Sequence, residues 1–71
     1  MNLNHVKEYF LEIKNIPYKF IYVGYRNQKE IFYGKIIKCF PSVFVILTTE
    51  NVIKTFSYND YIMKNIKIIS L

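Results

Sequence analysis

The side chains that most often carry out catalysis are scarce in this chain. Cys39 is the only cysteine and His5 the only histidine, and the two stand far apart in the sequence. A catalytic thiol needs a neighbouring base, so we expect Cys39 to be a packed side chain. One cysteine also excludes a disulfide framework and a zinc-binding set, and two glycines exclude a P-loop or dinucleotide fingerprint. The sequence therefore predicts no enzyme, no metal site and no cofactor.

The few carboxylates do not form a catalytic pair. Glu8 and Glu12 have the spacing of neighbours on a helix surface, where they favour solubility. Asp60 lies between Tyr58 and Tyr61 and could orient a tyrosine hydroxyl at a site. The alternative, which we favour, is a bond from the Asp60 side chain to the local backbone of a turn.

Cations and tyrosines provide the first candidate binding surface. Ten lysine and arginine residues against five acidic ones give a net charge of +5, which attracts polyanions and acidic protein surfaces. Cations neutralise phosphates and aromatic rings stack on bases. The candidate nucleic-acid or partner-binding residues are Arg26, Lys29, Lys35, Lys38, Tyr22, Tyr25 and Tyr33. The alternative is that the lysines form a solvated face and that the tyrosines cover the fold with their hydroxyls in water.

The second candidate surface is apolar. Residues 40–47 form an uncharged run that is rich in β-branched and aromatic side chains, which predicts a strand buried on both faces. If the core takes up one row of these side chains, the opposite row, with Phe44 and Ile46, must be covered by the helix, the second strand or another subunit. Phe44 and Ile46 are therefore a candidate oligomer or partner surface, and we expect a homodimer or a ring.

Hydrophobic periodicity predicts the elements that position these residues. Leu3, Val6, Phe10 and Ile13 form one stripe of a helix, within an N-terminal segment 1–15 that should lie across an open end of the core. Five strands are predicted in the segment 18–71. They span 18–23, 30–40, 40–48, 52–56 and 64–69, with a single helical turn at 58–61.

Gly34 lies inside the long second strand and predicts a bulge or sharp bend, at which inward and outward faces exchange. Such a bend lets a short sheet coil and close on itself. We therefore expect a mainly β fold, with an N-terminal α-helix followed by a five-stranded SH3-like or Sm-like small barrel. The chain is short enough to form a single domain, 1–71.

The sequence also gives an expectation about location. The first residues lack the basic region and apolar block of a signal peptide. Nowhere do about 18 apolar residues follow one another, as a membrane-spanning helix requires. We expect a cytoplasmic protein with no membrane partner.

Two segments resemble the Veg family of small Firmicutes proteins. Residues 34–45 read Gly-Lys-Ile-Ile-Lys-Cys-Phe-Pro-Ser-Val-Phe-Val, and residues 56–62 read Phe-Ser-Tyr-Asn-Asp-Tyr-Ile. The Pro-Ser-Val-Phe-Val run at 41–45 is the most specific part, and the N-terminal helix, Gly24, Arg26 and the last strand also match. The loop 24–29 is less densely basic than the family pattern, which weakens a polyanion role for that loop.

The resemblance to Veg implies an Sm-like or SH3-like barrel and a regulatory link to biofilm formation without an enzymatic step. A looser resemblance to bacterial Sm-like RNA chaperones covers the order of elements. Their basic, histidine-containing motif would fall near 56–59, where this chain has neither lysine nor histidine. We therefore expect a Veg-like regulatory module with a protein partner, and the alternative is an Sm-like protein that binds single-stranded RNA or DNA.

Overall fold

The computed structural model describes residues 3–71, apart from the side chain of Asn27. Met1 and Asn2, which begin the predicted helical segment 1–15, lie outside the described residues. The elements are α1 (Leu3–Ile13), β1 (Tyr18–Val23), a 3₁₀ turn (Tyr25–Asn27), β2 (Lys29–Cys39), β3 (Val43–Thr48), β4 (Ile53–Ser57), α2 (Tyr58–Ile62) and β5 (Ile66–Ser70). No helix within residues 3–71 is long and apolar enough to cross a membrane.

The five strands form one sheet in the order β4-β3-β2-β1-β5, and all neighbouring strands run antiparallel. The predicted mainly β fold with an N-terminal helix is therefore confirmed. β4 and β5 are the two edges of the sheet, and within the described residues neither pairs with a further strand. The sheet is thus open along one side.

Helix α1 packs on one face of the sheet, which we call the inner face. Its buried side chains are Val6, Phe10 and Ile13, as the helical stripe predicts, whereas Leu3 is 43% exposed. The Phe10 ring lies 4.5 Å from that of Phe44 on β3, between ring centroids, in an edge-to-face arrangement. Such aromatic pairs add about 1 kcal/mol to the effect of burial alone.

Phe44 and Ile46 belong to the core of the single chain. Both are completely buried on the inner face, in one cluster with Phe10 and Phe20. The prediction that they form an oligomer or partner surface is therefore wrong, because α1 and the inner face of the same chain already cover them. Of the three alternatives for covering this row, the helix is the one found.

The prediction that residues 40–47 are buried on both faces is also wrong. β3 begins at Val43, after a turn at Pro41 and Ser42, and buries alternate residues only: Phe44, Ile46 and Thr48. Val43, Val45 and Leu47 are half-buried on the opposite, outer face of the sheet. The reason is that α1 covers only the inner face. The apolar side chains on the outer face of β3 therefore stay partly accessible to solvent.

The irregularity in β2 lies three residues beyond the predicted position. The pairing with β3 shifts between Ile36 and Lys38, so Ile37 is the bulged residue. Gly34 stays in register, opposite Tyr18 and Thr48. The exchange of faces does occur: Ile36 points inward before the bulge, and Cys39, opposite the buried Phe44, points inward after it. Gly34 is needed for another reason, because a Cβ atom there would lie 2.5 Å from the Leu47 carbonyl oxygen.

Candidate functional site

The outer face of the sheet carries a group of lysines. The outer face consists of the side chains that point away from α1 on all five strands. Five lysines of β1, β2 and β5 belong to it. The lysine of β1 is half-buried, and the other four are exposed. The five lysines are Lys19, Lys29, Lys35, Lys38 and Lys67.

Strand alternation and register place these lysines. Side chains alternate between the two faces of a strand, so the residues beside the buried Phe20, Phe32 and Ile66 point outward. Across the strands, each lysine stands opposite an apolar or aromatic residue and never opposite another lysine. The pairs are Lys19 with Tyr33 and Ile69, Lys29 with Val23, Lys35 with Leu47, Lys38 with Val45, and Lys67 with Ile21. This mixture avoids the repulsion of like charges directly opposite each other.

The outer face also exposes large apolar side chains between its lysines. Ile31 is 50% exposed, Tyr33 45% and Ile53 57%. Ile21, Val45 and Leu47 are half-buried beside them. The register places Ile21 beside Ile31 and Leu47 beside Ile53. Clustered apolar side chains with charges among them are typical of interaction surfaces.

No acidic side chain points from a strand onto the outer face in the described part of the chain. Glu8 and Glu12 are on α1, Glu50 is in the β3–β4 turn and Asp60 is in α2. Glu30 lies on the inner face, where it forms an ion pair with Lys54 of β4. The Lys54 ammonium group also sits 5.2 Å from the centre of the Phe32 ring. The five outer-face lysines make no ion pair with any described residue.

Four of the seven predicted binding residues share the outer face: Lys29, Tyr33, Lys35 and Lys38. Tyr22 does not, because it points to the inner face. Its ring lies 5.0 Å from that of Phe56, between centroids. The predicted group is therefore split between two faces of the sheet and one turn.

Tyr25 and Arg26 lie in the 3₁₀ turn that joins β1 to β2, beside the Lys29 end of the outer face. Tyr25 is 87% exposed, and Arg26 has a left-handed backbone with φ of 58°. An open cavity of about 620 Å³ lies at this turn and is lined in part by Tyr22, Tyr25 and Lys29. An exposed ring next to two cations has the elements of a stacking site for a base.

Asp60 performs the local role that the sequence favoured. Its carboxylate accepts a hydrogen bond from the Ser57 backbone N–H (3.3 Å), and the Ser57 hydroxyl oxygen accepts one from the Asp60 backbone N–H (3.1 Å). This reciprocal arrangement is a capping box that begins α2. The Asp60 carboxylate also accepts a bond from the Asn65 side chain (3.4 Å).

Cys39 and Tyr58 lie together next to the core. Tyr58 is 2% exposed, and its hydroxyl has no hydrogen-bond partner among the described residues. Burial, together with a smaller effect of the neighbouring Cys39 thiol, raises the pKa of Tyr58 to about 12. At neutral pH this phenol stays protonated and so provides no phenolate to act as a base. Tyr58 belongs to the core cluster, and Cys39 packs against that cluster.

Sequence reasoning missed two lysines of the outer face, Lys19 and Lys67. The signal was present in the alternation of their strands, because Lys19 lies between Tyr18 and Phe20 and Lys67 between Ile66 and Ile68. What the sequence lacked was the register, which brings β5 next to β1 and so adds Lys67 to the face.

No protein-family model matches the sequence, and no curated protein matches it. The resemblance to the Veg family stays a prediction. Within residues 3–71, no three side chains of the types that commonly hold metal ions come together. The outer face combines five lysines with exposed apolar side chains.

Proposed function

We propose that the chain is a non-enzymatic regulatory binding module, and that its outer face docks an acidic protein surface. The observation that carries this proposal is the outer face itself, which exposes isoleucines beside five lysines. Among the described residues, none of these lysines forms an ion pair and no strand adds an acidic side chain to the face. Complementary charge would steer the partner and fix its orientation, while apolar contacts between the lysines would supply most of the affinity.

The chemistry of the exposed side chains supports a protein partner over a nucleic acid. Ile31 and Ile53 cannot stack on bases, and among the described strand residues Tyr33 is the single aromatic ring on this face. Branched apolar side chains are instead well suited to pack against other side chains. The resemblance of residues 41–45 to the Veg family supports a regulatory role linked to biofilm formation.

We include the small-barrel architecture in the same proposal. Strands β1 and β4 are separated by two others in the sheet, yet the rings of Tyr22 and Phe56 on these strands lie 5.0 Å apart between centroids. This contact requires strong curling of the sheet and supports an SH3-like or Sm-like relationship. The homodimer or ring stays a prediction, without Phe44 and Ile46 as its contact surface.

A pull-down from native cell extract with matched variants tests the docking proposal. Lys29→Glu with Lys35→Glu reverses two charges on the outer face. The control, Lys7→Glu with Lys14→Glu, makes the same charge change in and next to α1, away from that face. We expect the outer-face variant to capture the partner about tenfold less well, since interface charge pairs are worth about 1.5 kcal/mol or more.

The control variant should capture the same partner as the natural chain, with or without nuclease treatment. Equal capture by both variants would contradict the proposal, because a general loss of positive charge would then explain the result. Loss of capture after nuclease treatment would also contradict it and would favour nucleic acid.

The second candidate function is binding of single-stranded RNA or DNA at the β1–β2 turn. The exposed Tyr25 ring beside Arg26 and Lys29 favours it. Fluorescence anisotropy with labelled single-stranded oligonucleotides should then show affinity that falls steeply with salt and is lost in Arg26→Glu with Lys29→Glu. Absence of salt-sensitive binding at micromolar protein would remove this candidate.

A further inference from the structure

In the described part of the chain, no strand pairs with the outer edge of β5. The Val23 backbone N–H donates to the Asn65 carbonyl (2.8 Å), which sets the alternation of bonds between β1 and β5. In an antiparallel pair of strands, hydrogen-bonded residue pairs alternate with pairs that are not hydrogen-bonded to each other. The backbone N–H and C=O groups of Ile66, Ile68 and Ser70 therefore point away from β1. Ile66 is completely buried, so the accessible part of this edge is Ile68 and Ser70.

An apolar groove runs along this edge. It has a volume of about 400 Å³ and lies between α2 and β5. Its apolar lining includes Tyr61, Ile62 and Ile68, and both lysines among its lining residues, Lys64 and Lys67, are exposed. Among residues 3–71, no acidic residue lines this groove. The groove is continuous with the outer face, because Lys67 and Ile69 belong to both.

The opposite edge of the sheet is less suited to an acidic partner. The Ser57 backbone N–H on β4 is already bonded to the Asp60 carboxylate. Charge around β4 is also balanced, since Lys54 is paired with Glu30 and Glu50 lies in the preceding turn. The β5 edge therefore combines free backbone groups, an apolar groove and unbalanced positive charge in one place.

We propose that the β5 edge accepts an extended segment of a protein partner, in which acidic and apolar residues alternate, as an added sixth strand that runs antiparallel to β5. Acidic side chains would lie beside Lys67 on the outer face, and apolar side chains beside Ile68 in the groove. A second copy of this chain fits less well, because two β5 edges would bring their lysines together. The inference rests on the proposed function, since it specifies how the acidic protein partner binds.

The probe for this site is a capped hexapeptide that alternates glutamate and valine. Titrated into the ¹⁵N-labelled chain, it should shift the amide NMR signals of Ile68 and Ser70 and slow their hydrogen exchange. Methylation of the valine backbone nitrogens should weaken binding by about two- to tenfold, because each backbone bond is worth about 1 kcal/mol. Replacement of the glutamates by lysines should weaken it by a similar factor.

A matched pair of variants tests the edge on the side of the protein. Ser70→Pro removes an outward-facing N–H at an exposed position and should weaken peptide binding, whereas Ser70→Ala should not. The inference is overturned if the peptide does not bind, or if N-methylation has no effect. Shifts of the Ile53 and Thr55 amide signals on β4 would likewise overturn it. Shifts of the Ile68 signal that appear when only the protein concentration is raised would also overturn it, because they indicate that a second copy binds at this edge.

The two proposals can fail separately. In one case, the peptide does not bind at the β5 edge, but the variant Lys29→Glu with Lys35→Glu no longer captures the partner. This result contradicts the edge inference and supports the docking function. If the peptide binds the edge while that variant captures the partner normally, the docking role of the outer face falls instead.

Discussion

Tyr58 has a hydroxyl that the core buries without a hydrogen-bond partner in the described part of the chain. A buried polar group in this state costs about 1–3 kcal/mol. We therefore expect Tyr58→Phe to raise the free energy of unfolding by about 1 kcal/mol at neutral pH, as measured by urea denaturation. Destabilisation by a similar amount would indicate that the hydroxyl makes a bond to Cys39 in solution.

The same residue predicts a loss of stability at high pH. The pKa of Tyr58 is raised from 10.0 to about 12 in the folded chain, chiefly by burial. Above pH 10 the unfolded chain releases this proton while the folded chain keeps it, so stability falls as pH rises from 10 to 12. Tyr58→Phe should remove this part of the decline. Burial also raises the pKa of Tyr9. Its effect on stability at high pH should be the same in the natural chain and in Tyr58→Phe.

Gly34 is required by close approach of the backbone. A Cβ atom there would meet the Leu47 carbonyl oxygen at 2.5 Å and the Thr48 Cα at 2.9 Å, neither of which can move alone. We expect Gly34→Ala to cost about 1–3 kcal/mol in urea denaturation. The control is Gly24→Ala, where the contact at 2.9 Å is with the movable ring of Tyr22. Equal costs at the two sites would contradict this explanation.

At the scale of elements, the capping box fixes the start of α2 and thereby the connection from β4 to β5. Asp60→Ala removes the acceptor for Ser57 and for the Asn65 side chain, so we expect a loss of about 1 kcal/mol, with α2 amides exchanging faster. The control is Asn59→Ala at the neighbouring exposed helix position, which should change stability by less than about 0.5 kcal/mol. An unchanged Asp60→Ala protein would show that packing alone holds α2.

The sequence predicts the existence of the elements better than the details of their pairing. β1 has the predicted bounds, because its aromatic and branched run is limited by Pro17 and Gly24. The bulge at Ile37 could not be located, since glycine permits a bend without requiring one and the shift depends on the partner strand. The burial of Phe44 and Ile46 depends on where α1 docks, and that is a property of tertiary packing.

At the scale of the whole molecule, the lysines of the candidate site come from three strands, of which β5 lies far from β1 and β2 in sequence. Lys35 and Lys38 follow directly from the charged positions of β2, but Lys19 and Lys67 join them only through the order β2-β1-β5. Composition gave the net charge of +5 without its distribution. The structure concentrates five lysines on the outer face and leaves the carboxylates on helices, a turn and the inner face.

Zero-length carbodiimide cross-linking of the captured complex tests the outer face most directly, because it joins only lysines and carboxylates that are in contact. Mapped by mass spectrometry, the links should join partner aspartates and glutamates to Lys19, Lys29, Lys35, Lys38 and Lys67. Links concentrated on Lys7 and Lys14, with none on the outer face, would contradict the account.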